Sequence, residues 1–227
     1  MAREVTIVDC LAEIERFFRY YFKFCESPEP DSVREVLASI YSVNDKLRKA
    51  RYQNFFKDDN FVAIKAIRNY AIHQAEIYNQ TKALPLISTS PIEADLNILC
   101  LLPKDVIEKI YRNSSEESIS AIKKVCIFYK EYVDIYPCVF NFGVKLFLYT
   151  EEHNLDINSQ EYSDFKNSIE HERKNGFPHF VDGGIKLPDG TDVDSFLEKN
   201  LTTLTDRKKL QNNLYTEKNG MYTFKGL

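Results

Sequence analysis

The first third of the chain carries apolar side chains at helical spacing. Between Val5 and Cys25 they recur three and four residues apart, which places them on one face of an amphipathic helix. The positions on that face are Ile7, Leu11, Ile14, Phe17, Phe18, Tyr21 and Phe22. The segment Ser27–Pro30 breaks the pattern, and a second helix is predicted from about Ser32 to Phe56. A third apolar stripe, after a short polar break, predicts a helix from Phe61 to about Lys82.

The rest of the chain divides into a helical middle and a turn-rich end. Leu84–Pro91, rich in Pro, Ser and Thr, is predicted as a loop. Four further helices are predicted over Glu93–Leu101, Pro103–Arg112, Ser115–Tyr136 and Val139–Glu152. Six of the 7 glycines follow Asn154, and they indicate turns. Asn219-Gly220 lies between two β-prone arms, which predicts a terminal β-hairpin.

These patterns predict a mostly α fold with two parts. The first is a helical domain over residues 1–152. The second is a C-terminal extension over residues 153–227, a small α+β region with turns, a short helix and the hairpin. With 44% hydrophobic and 13% aromatic residues, the chain has enough apolar material for a buried core.

Composition also restricts the class of protein. No apolar run approaches the roughly 18–20 residues of a membrane span, and the N-terminal stretch lacks a secretory pattern. We therefore expect a cytoplasmic protein that does not bind membranes. The 5 cysteines form no CxxC pair and are expected to be free thiols. Glycine-rich phosphate loops and HExxH are absent from the sequence, so neither a cofactor nor a metal is expected.

The net charge of −4 argues against a surface that grips duplex nucleic acid throughout. A local basic site is compatible with it. Four basic residues fall within six positions of the second helix and a fifth lies on the third: Lys46, Arg48, Lys49, Arg51 and Lys65. They could bind RNA phosphates, with Tyr52, Phe55 and Phe56 stacking on bases. The alternative is a solvated helix face whose neighbouring aromatic residues belong to the core.

The third helix also carries a combination of side chains suited to cutting RNA. Arg68 is followed directly by Asn69 and, four residues further on, by His73. A histidine can move protons near pH 7, and an arginine offers a permanent, forked cation to a phosphate. Those two groups suffice for attack by a ribose 2′-hydroxyl. At about 100° per residue, Asn69 and His73 lie one turn apart, whereas Arg68 points about 140° away from His73.

An Arg followed by a polar residue and, after four to six positions, a His on a late helix of a small bundle resembles the HEPN superfamily. The resemblance covers about residues 5–85, and at most it extends to about residue 150. It implies a metal-independent endoribonuclease acting on single-stranded or looped RNA, with Arg68, Asn69 and His73 as catalytic residues. It further implies a homodimer whose motif helices face each other. A place in a toxin–antitoxin or phage-defence system, with a cognate antitoxin or regulatory protein, is also implied.

The sequence also offers alternatives to a ribonuclease site at Arg68, Asn69 and His73. Arg173 and His179 have a similar spacing, but Gly176 and Pro178 between them would end a helix, so we discard this pair. His153 and His171 lack the spacing of metal ligands. The alternative function is a non-catalytic helical module for dimerisation or protein binding, in which Arg68 forms an ordinary ion pair with a carboxylate.

Overall fold

The computed structural model describes residues 4–26, 30–52, 54–73, 80–83, 98–185, 215–218 and 221–224. Within them lie seven helices: α1 (Ile7–Glu26), α2 (Pro30–Lys49), α3 (Asp59–His73), α4 (Lys104–Arg112), α5 (Glu116–Val125), α6 (Tyr136–Glu152) and α7 (Gln160–Asn175). The strands are β1 (Gln80–Ala83), β2 (Ile98–Pro103), β3 (Ile127–Phe128), β4 (Tyr132–Asp134), β5 (Tyr215–Lys218) and β6 (Met221–Phe224). The prediction of a mostly α fold with a small β component is confirmed.

The helical core forms around α6. This helix is apolar on most of its circumference, and Phe142, Phe147 and Val144 on it are fully buried. Helix α1 packs against it through the stripe identified in the sequence, with the rings of Phe17 and Phe142 5.6 Å apart. The predicted first helix is therefore confirmed, together with its buried face.

Helix α7 belongs to the same core. Phe165 of α7 lies 5.1 Å from the ring of Phe18 and 5.9 Å from that of Phe147, so it contacts both α1 and α6. The hydroxyl groups of Tyr162 and Thr150 are hydrogen bonded at 2.7 Å. Residues 186–214 lie outside the described part of the chain, and the division at residue 152 stays a prediction.

A small antiparallel sheet replaces two stretches that the sequence predicted as helical. Its strand order is β1-β2-β4-β3. Residues 98–101, predicted as the end of a helix, form most of β2, because a short apolar run buried between two strands has no periodicity that distinguishes it from a buried helix. The predicted helix Ser115–Tyr136 ends at Val125, and its second half forms the β3–β4 hairpin. Pairing with β2 outweighs local helix propensity there.

Two helix ends also differ from the predictions. Helix α2 ends at Lys49 instead of Phe56, and Arg51 follows it with a φ of 63° in the left-handed region. Helix α3 is described as far as His73, and Lys82, its predicted last residue, lies in β1. The predicted loop Leu84–Pro91 and the start of the helix predicted from Glu93 fall outside the described residues.

The terminal hairpin is confirmed. Strands β5 and β6 pair antiparallel, with Tyr215 opposite Phe224 and Lys218 opposite Met221. All five cysteines are free thiols. In the described portion of the chain, no helix combines the length and apolarity needed to cross a membrane.

A buried carboxyl group joins the sheet to α6. Asp134, at the end of β4, accepts hydrogen bonds from the backbone N–H of Cys100 on β2 at 2.8 Å and of Tyr136 on α6 at 3.0 Å. Because the group is removed from water, its pKa rises to about 7, although both hydrogen bonds act in the opposite direction.

Candidate functional site

Helix α3 holds the three predicted catalytic residues beside the core. Its apolar positions, including Phe61, Ile64 and Ile67, are fully buried. Arg68 and Asn69 follow these positions and are half-buried at the edge of the core. His73 is the last residue of α3, and its side chain lies outside the described part of the structure.

Arg68 is held by an aromatic ring and an amide. Its guanidinium carbon lies 4.5 Å from the ring centroid of Tyr41 on α2, a cation–π arrangement. Its Nη1 donates to Asn69 Oδ1 at 3.2 Å. Its Nε is buried and has no hydrogen-bond partner among the described residues. Asn69 therefore contacts Arg68, a hydrogen bond that the sequence analysis did not predict.

Arg68 lines a pocket of about 460 Å³ between α1, α2 and α3, which we call the Arg68 pocket. The charged and aromatic residues in its wall are Glu13, Arg16 and Tyr20 from α1, Glu35, Tyr41 and Asp45 from α2, and Arg68 from α3. Ala38, Ser39 and Ser42 complete the α2 side. The pocket therefore contains three carboxylates and two guanidinium groups.

Each carboxylate of the Arg68 pocket pairs with a cation other than Arg68. Glu13 pairs with Arg16 at 3.0 Å, and Glu35 pairs with Lys23 at 2.6 Å. Asp45 pairs with Arg48 at 2.9 Å and with Lys49 at 2.6 Å.

The pKa of Asp45 lies below its usual value, because the hydrogen bonds and charges of Lys49 and Arg48 together outweigh desolvation, the largest single contribution. None of the ion pairs of the described residues includes Arg68. The positive charge of Arg68 is thus not neutralised by a described neighbour.

The five predicted RNA-binding cations differ in their surroundings. Arg48 and Lys49 are engaged by Asp45, whereas Lys46 is half-buried and Arg51 lies exposed beyond the end of α2. Lys65 lies over the ring of Phe56, 5.3 Å from its centroid. It also lines a smaller pocket of about 150 Å³, to which Asn69 and the turn between α4 and α5 contribute.

The aromatic residues beside this basic run mostly serve the core. Phe55 is buried, with its ring 5.2 Å from that of Phe142. Phe56 packs against Phe61 at 5.5 Å and, like Tyr52, stays half-buried. The alternative interpretation of these rings as core residues therefore holds for Phe55.

The remaining histidines have structural partners. Helix α7 ends at Asn175, and Gly176 follows with a φ of 71°, so Arg173 and His179 do not share a helix. Arg173 pairs with Glu151 at 2.6 Å and His179 with Glu172 at 2.8 Å. His153 stacks on Tyr149, with ring centroids 4.1 Å apart. Among the described residues, no group of three or more His, Cys, Asp or Glu side chains could hold a metal ion.

The sequence analysis did not predict the acidic wall of the Arg68 pocket, which consists of Glu13, Glu35 and Asp45. One signal was available in the sequence, because Glu13 lies between the apolar positions Cys10 and Ile14 of the first helix. The structure shows that Glu13 is buried. A charged residue within an apolar stripe needs a nearby partner. A second signal was the polar row Glu35, Ser39, Ser42 and Asp45 at helical spacing on α2.

We compared the chain with protein-family models, with curated proteins and with solved structures. No family model, no curated protein and no solved structure matches it. The resemblance to the HEPN superfamily rests on Arg68, Asn69 and His73 and on their position in the third helix.

Proposed function

We propose that this chain is a metal-independent endoribonuclease of the HEPN type that acts on single-stranded or looped RNA in the cytoplasm. The observation that supports this most directly is the state of Arg68. Its guanidinium lies in the wall of an open pocket, its Nε is buried with no partner in the described part of the chain, and the carboxylates beside it are paired with other cations. An arginine kept in this state is available to a phosphate group.

In the proposed reaction the ribose 2′-hydroxyl loses its proton and attacks the adjacent phosphorus. The bond from phosphorus to the 5′-oxygen of the next nucleotide breaks and that oxygen takes up a proton, which leaves a 2′,3′-cyclic phosphate and a 5′-hydroxyl. His73 moves the protons, and Arg68 stabilises the negative charge that develops on the phosphorane oxygens. Asn69 positions Arg68 through the hydrogen bond to its Nη1. The ring of Tyr41 packs against the guanidinium, so Arg68 loses little conformational entropy when a phosphate binds.

Positions 68 and 73 are about 140° apart around the axis of an ideal helix, so we do not expect a single copy of α3 to direct both groups to one phosphate. A two-fold symmetric homodimer with facing α3 helices would place the Arg68 of each subunit near the His73 of the other. We therefore include a homodimer in the proposal. A role as a toxin or in phage defence, with a cognate antitoxin or regulatory protein as partner, belongs to the same proposal.

The first experiment is a cleavage assay of mixed RNA in the presence of EDTA. We expect the native chain to cut RNA, and we expect Arg68→Ala and His73→Ala to lower the rate at least about a hundredfold, since each removes one catalytic group. Arg173→Ala and His179→Ala are matched controls, because they remove the same residue types from surface ion pairs. Cleavage by His73→Ala at the native rate would disprove the assignment.

A second candidate is the non-catalytic module for dimerisation or protein binding. The acidic wall of the Arg68 pocket favours it, because Glu13, Glu35 and Asp45 repel a phosphate and attract a cationic side chain of a partner. The two candidates differ in the assay above. A dimer that leaves RNA intact with and without divalent cations supports the module.

A further inference from the structure

The Arg68 pocket contains a carboxylate that the proposed reaction does not use. Glu35 lines the pocket from α2, and its side chain is 35% exposed. Its only described partner is Lys23, whose side chain is 51% exposed. An ion pair this accessible to water contributes no more than about 1 kcal/mol, so a ligand that offers good donors can displace Lys23.

The position of Glu35 relative to Arg68 suits a nucleotide. Tyr41, which carries the Arg68 guanidinium, lies six residues after Glu35, about 9 Å further along the axis of α2. Ala38 lies between them and leaves space, since its side chain is a single methyl group. The pocket volume of about 460 Å³ falls in the range of about 300–1,000 Å³ typical of small-molecule sites. A ligand spanning this pocket therefore meets a cation at one end and a carboxylate at the other.

We propose that the Arg68 pocket recognises a guanine base of the RNA. The two adjacent donors of guanine, N1–H and the N2 amino group, bind the two carboxylate oxygens of Glu35, while the neighbouring phosphate binds Arg68. The ring of Tyr20, half-buried in the same wall, offers a stacking surface. The ring of Tyr41 already packs against Arg68 and Phe61, so we assign it to the support of Arg68 and not to stacking on the base.

The chemistry of a carboxylate separates guanine from the other bases. A carboxylate only accepts hydrogen bonds, so it needs donors on the base. Cytosine and adenine each offer one amino group beside a ring nitrogen that accepts, and uracil offers one N–H between two carbonyl oxygens. Guanine alone presents two donors side by side. A carboxylate in the pocket disfavours a phosphate alone. When a base binds together with the phosphate, the same carboxylate selects guanine.

This inference rests on the proposed function, and a binding measurement tests it separately. The probes are short, fluorescein-labelled oligouridines, fully 2′-O-methylated so that no 2′-hydroxyl can attack, with either guanosine or uridine at the centre. We expect the full chain to bind the guanosine probe about tenfold more tightly, the discrimination given by one bidentate contact to a base. Inosine, which lacks the N2 amino group, should lose most of this preference.

Glu35→Gln should abolish the preference for guanosine without weakening binding of the uridine probe, because the substitution removes a negative charge from the pocket. Lys23→Ala is the matched control, because it breaks the same ion pair and keeps the carboxylate. Equal loss in both variants, or no preference in the native chain, would overturn the inference. Guanosine monophosphate that competes as strongly as the oligonucleotide would assign the pocket to a free nucleotide and also overturn it. Selective binding without any RNA cleavage would retain the guanine site and contradict the ribonuclease.

Discussion

Arg68 and Asp134 illustrate how one side chain takes its properties from its neighbours. Both are charged types in the sequence, but Arg68 lies on Tyr41 in an open pocket, whereas Asp134 is buried among backbone donors. Desolvation acts strongly on the buried group and raises the pKa of Asp134 to about 7. The surroundings of each side chain therefore make Arg68 a candidate catalytic cation and Asp134 a structural, proton-linked carboxyl group.

The raised pKa of Asp134 predicts a pH dependence of stability. Between about pH 4 and pH 7 the folded chain holds a proton on Asp134 that the unfolded chain has lost, because the ordinary pKa of this carboxyl is 3.8. The contribution of this group to the free energy of unfolding therefore decreases as the pH rises through that window, by up to about 1.4 kcal/mol per pH unit, and is constant above it.

Urea unfolding across this pH range measures the effect, with Asp134→Asn as the variant. The amide of Asp134→Asn keeps the Oδ1 acceptor for the N–H groups of Cys100 and Tyr136, and it cannot ionise. The free energy of unfolding of this variant should therefore decline less as the pH rises. Asp105→Asn is the control, because Asp105 is exposed and its lowered pKa arises first from the hydrogen bond of Lys109. An unchanged pH profile in Asp134→Asn would contradict this account.

Among the elements, the start of α6 and the segment after α7 fit closely against each other. Asn141 on α6 donates from Nδ2 to the carbonyl oxygen of Val181 at 2.8 Å and accepts from its N–H at 3.0 Å. Gly183, two residues later, has a φ of 72°, and a Cβ built on it would lie 2.2 Å from Cγ of Pro137. The segment therefore crosses α6 at a point where only glycine fits.

Two glycine variants separate backbone strain from the steric clash. Gly176 has nearly the same φ, 71°, but its Cβ would meet no atom within 4 Å. Gly176→Ala should cost about 1 kcal/mol of stability, the usual cost of a left-handed alanine. Gly183→Ala should cost about 1–3 kcal/mol more, because the ring of Pro137 cannot move aside without shifting α6. Chemical denaturation measures both, and equal losses would show that the contact with Pro137 is relaxed at no cost.

The elements also show where reasoning from the sequence succeeded and failed. Helix α1 was predicted with its buried face because a long stripe of large apolar residues allows one arrangement only. Strand β2 was missed because Ile98–Pro103 is apolar throughout, and only its pairing with β1 and β4 makes it a strand. The β3–β4 hairpin was missed for the same reason, since its pairing partner is distant in sequence.

In the whole molecule, α7 contributes to the same core as the helices that carry the Arg68 pocket. Phe18 on α1 contacts Phe165 on α7. Glu13 and Tyr20, which flank Phe18 in the same helix, line the pocket. The packing of α7 therefore supports the helix that forms one wall of the candidate site. Stability of the core and the shape of the pocket are linked through α1.

Phe165→Ala tests this arrangement. The substitution removes a buried ring between α1, α6 and α7, and we expect it to lower the free energy of unfolding by about 3–5 kcal/mol. Phe177→Ala is the matched control, because Phe177 is 56% exposed, and it should change stability by less than about 1 kcal/mol. A thermal melt followed by circular dichroism distinguishes them. Near-native stability in Phe165→Ala would mean that α7 does not contribute to the core.

The sequence alone determined the mostly α class, the first helix with its buried face, the terminal hairpin and the presence of Arg68, Asn69 and His73 on one helix, because these features depend on local periodicity and turn chemistry. The tertiary structure decided which side chains meet. It placed the ring of Tyr41 against Arg68 and brought Glu13, Glu35 and Asp45 to the wall of one pocket. Those contacts join three helices, and the spacing of residues along any one helix carries no information about its neighbours.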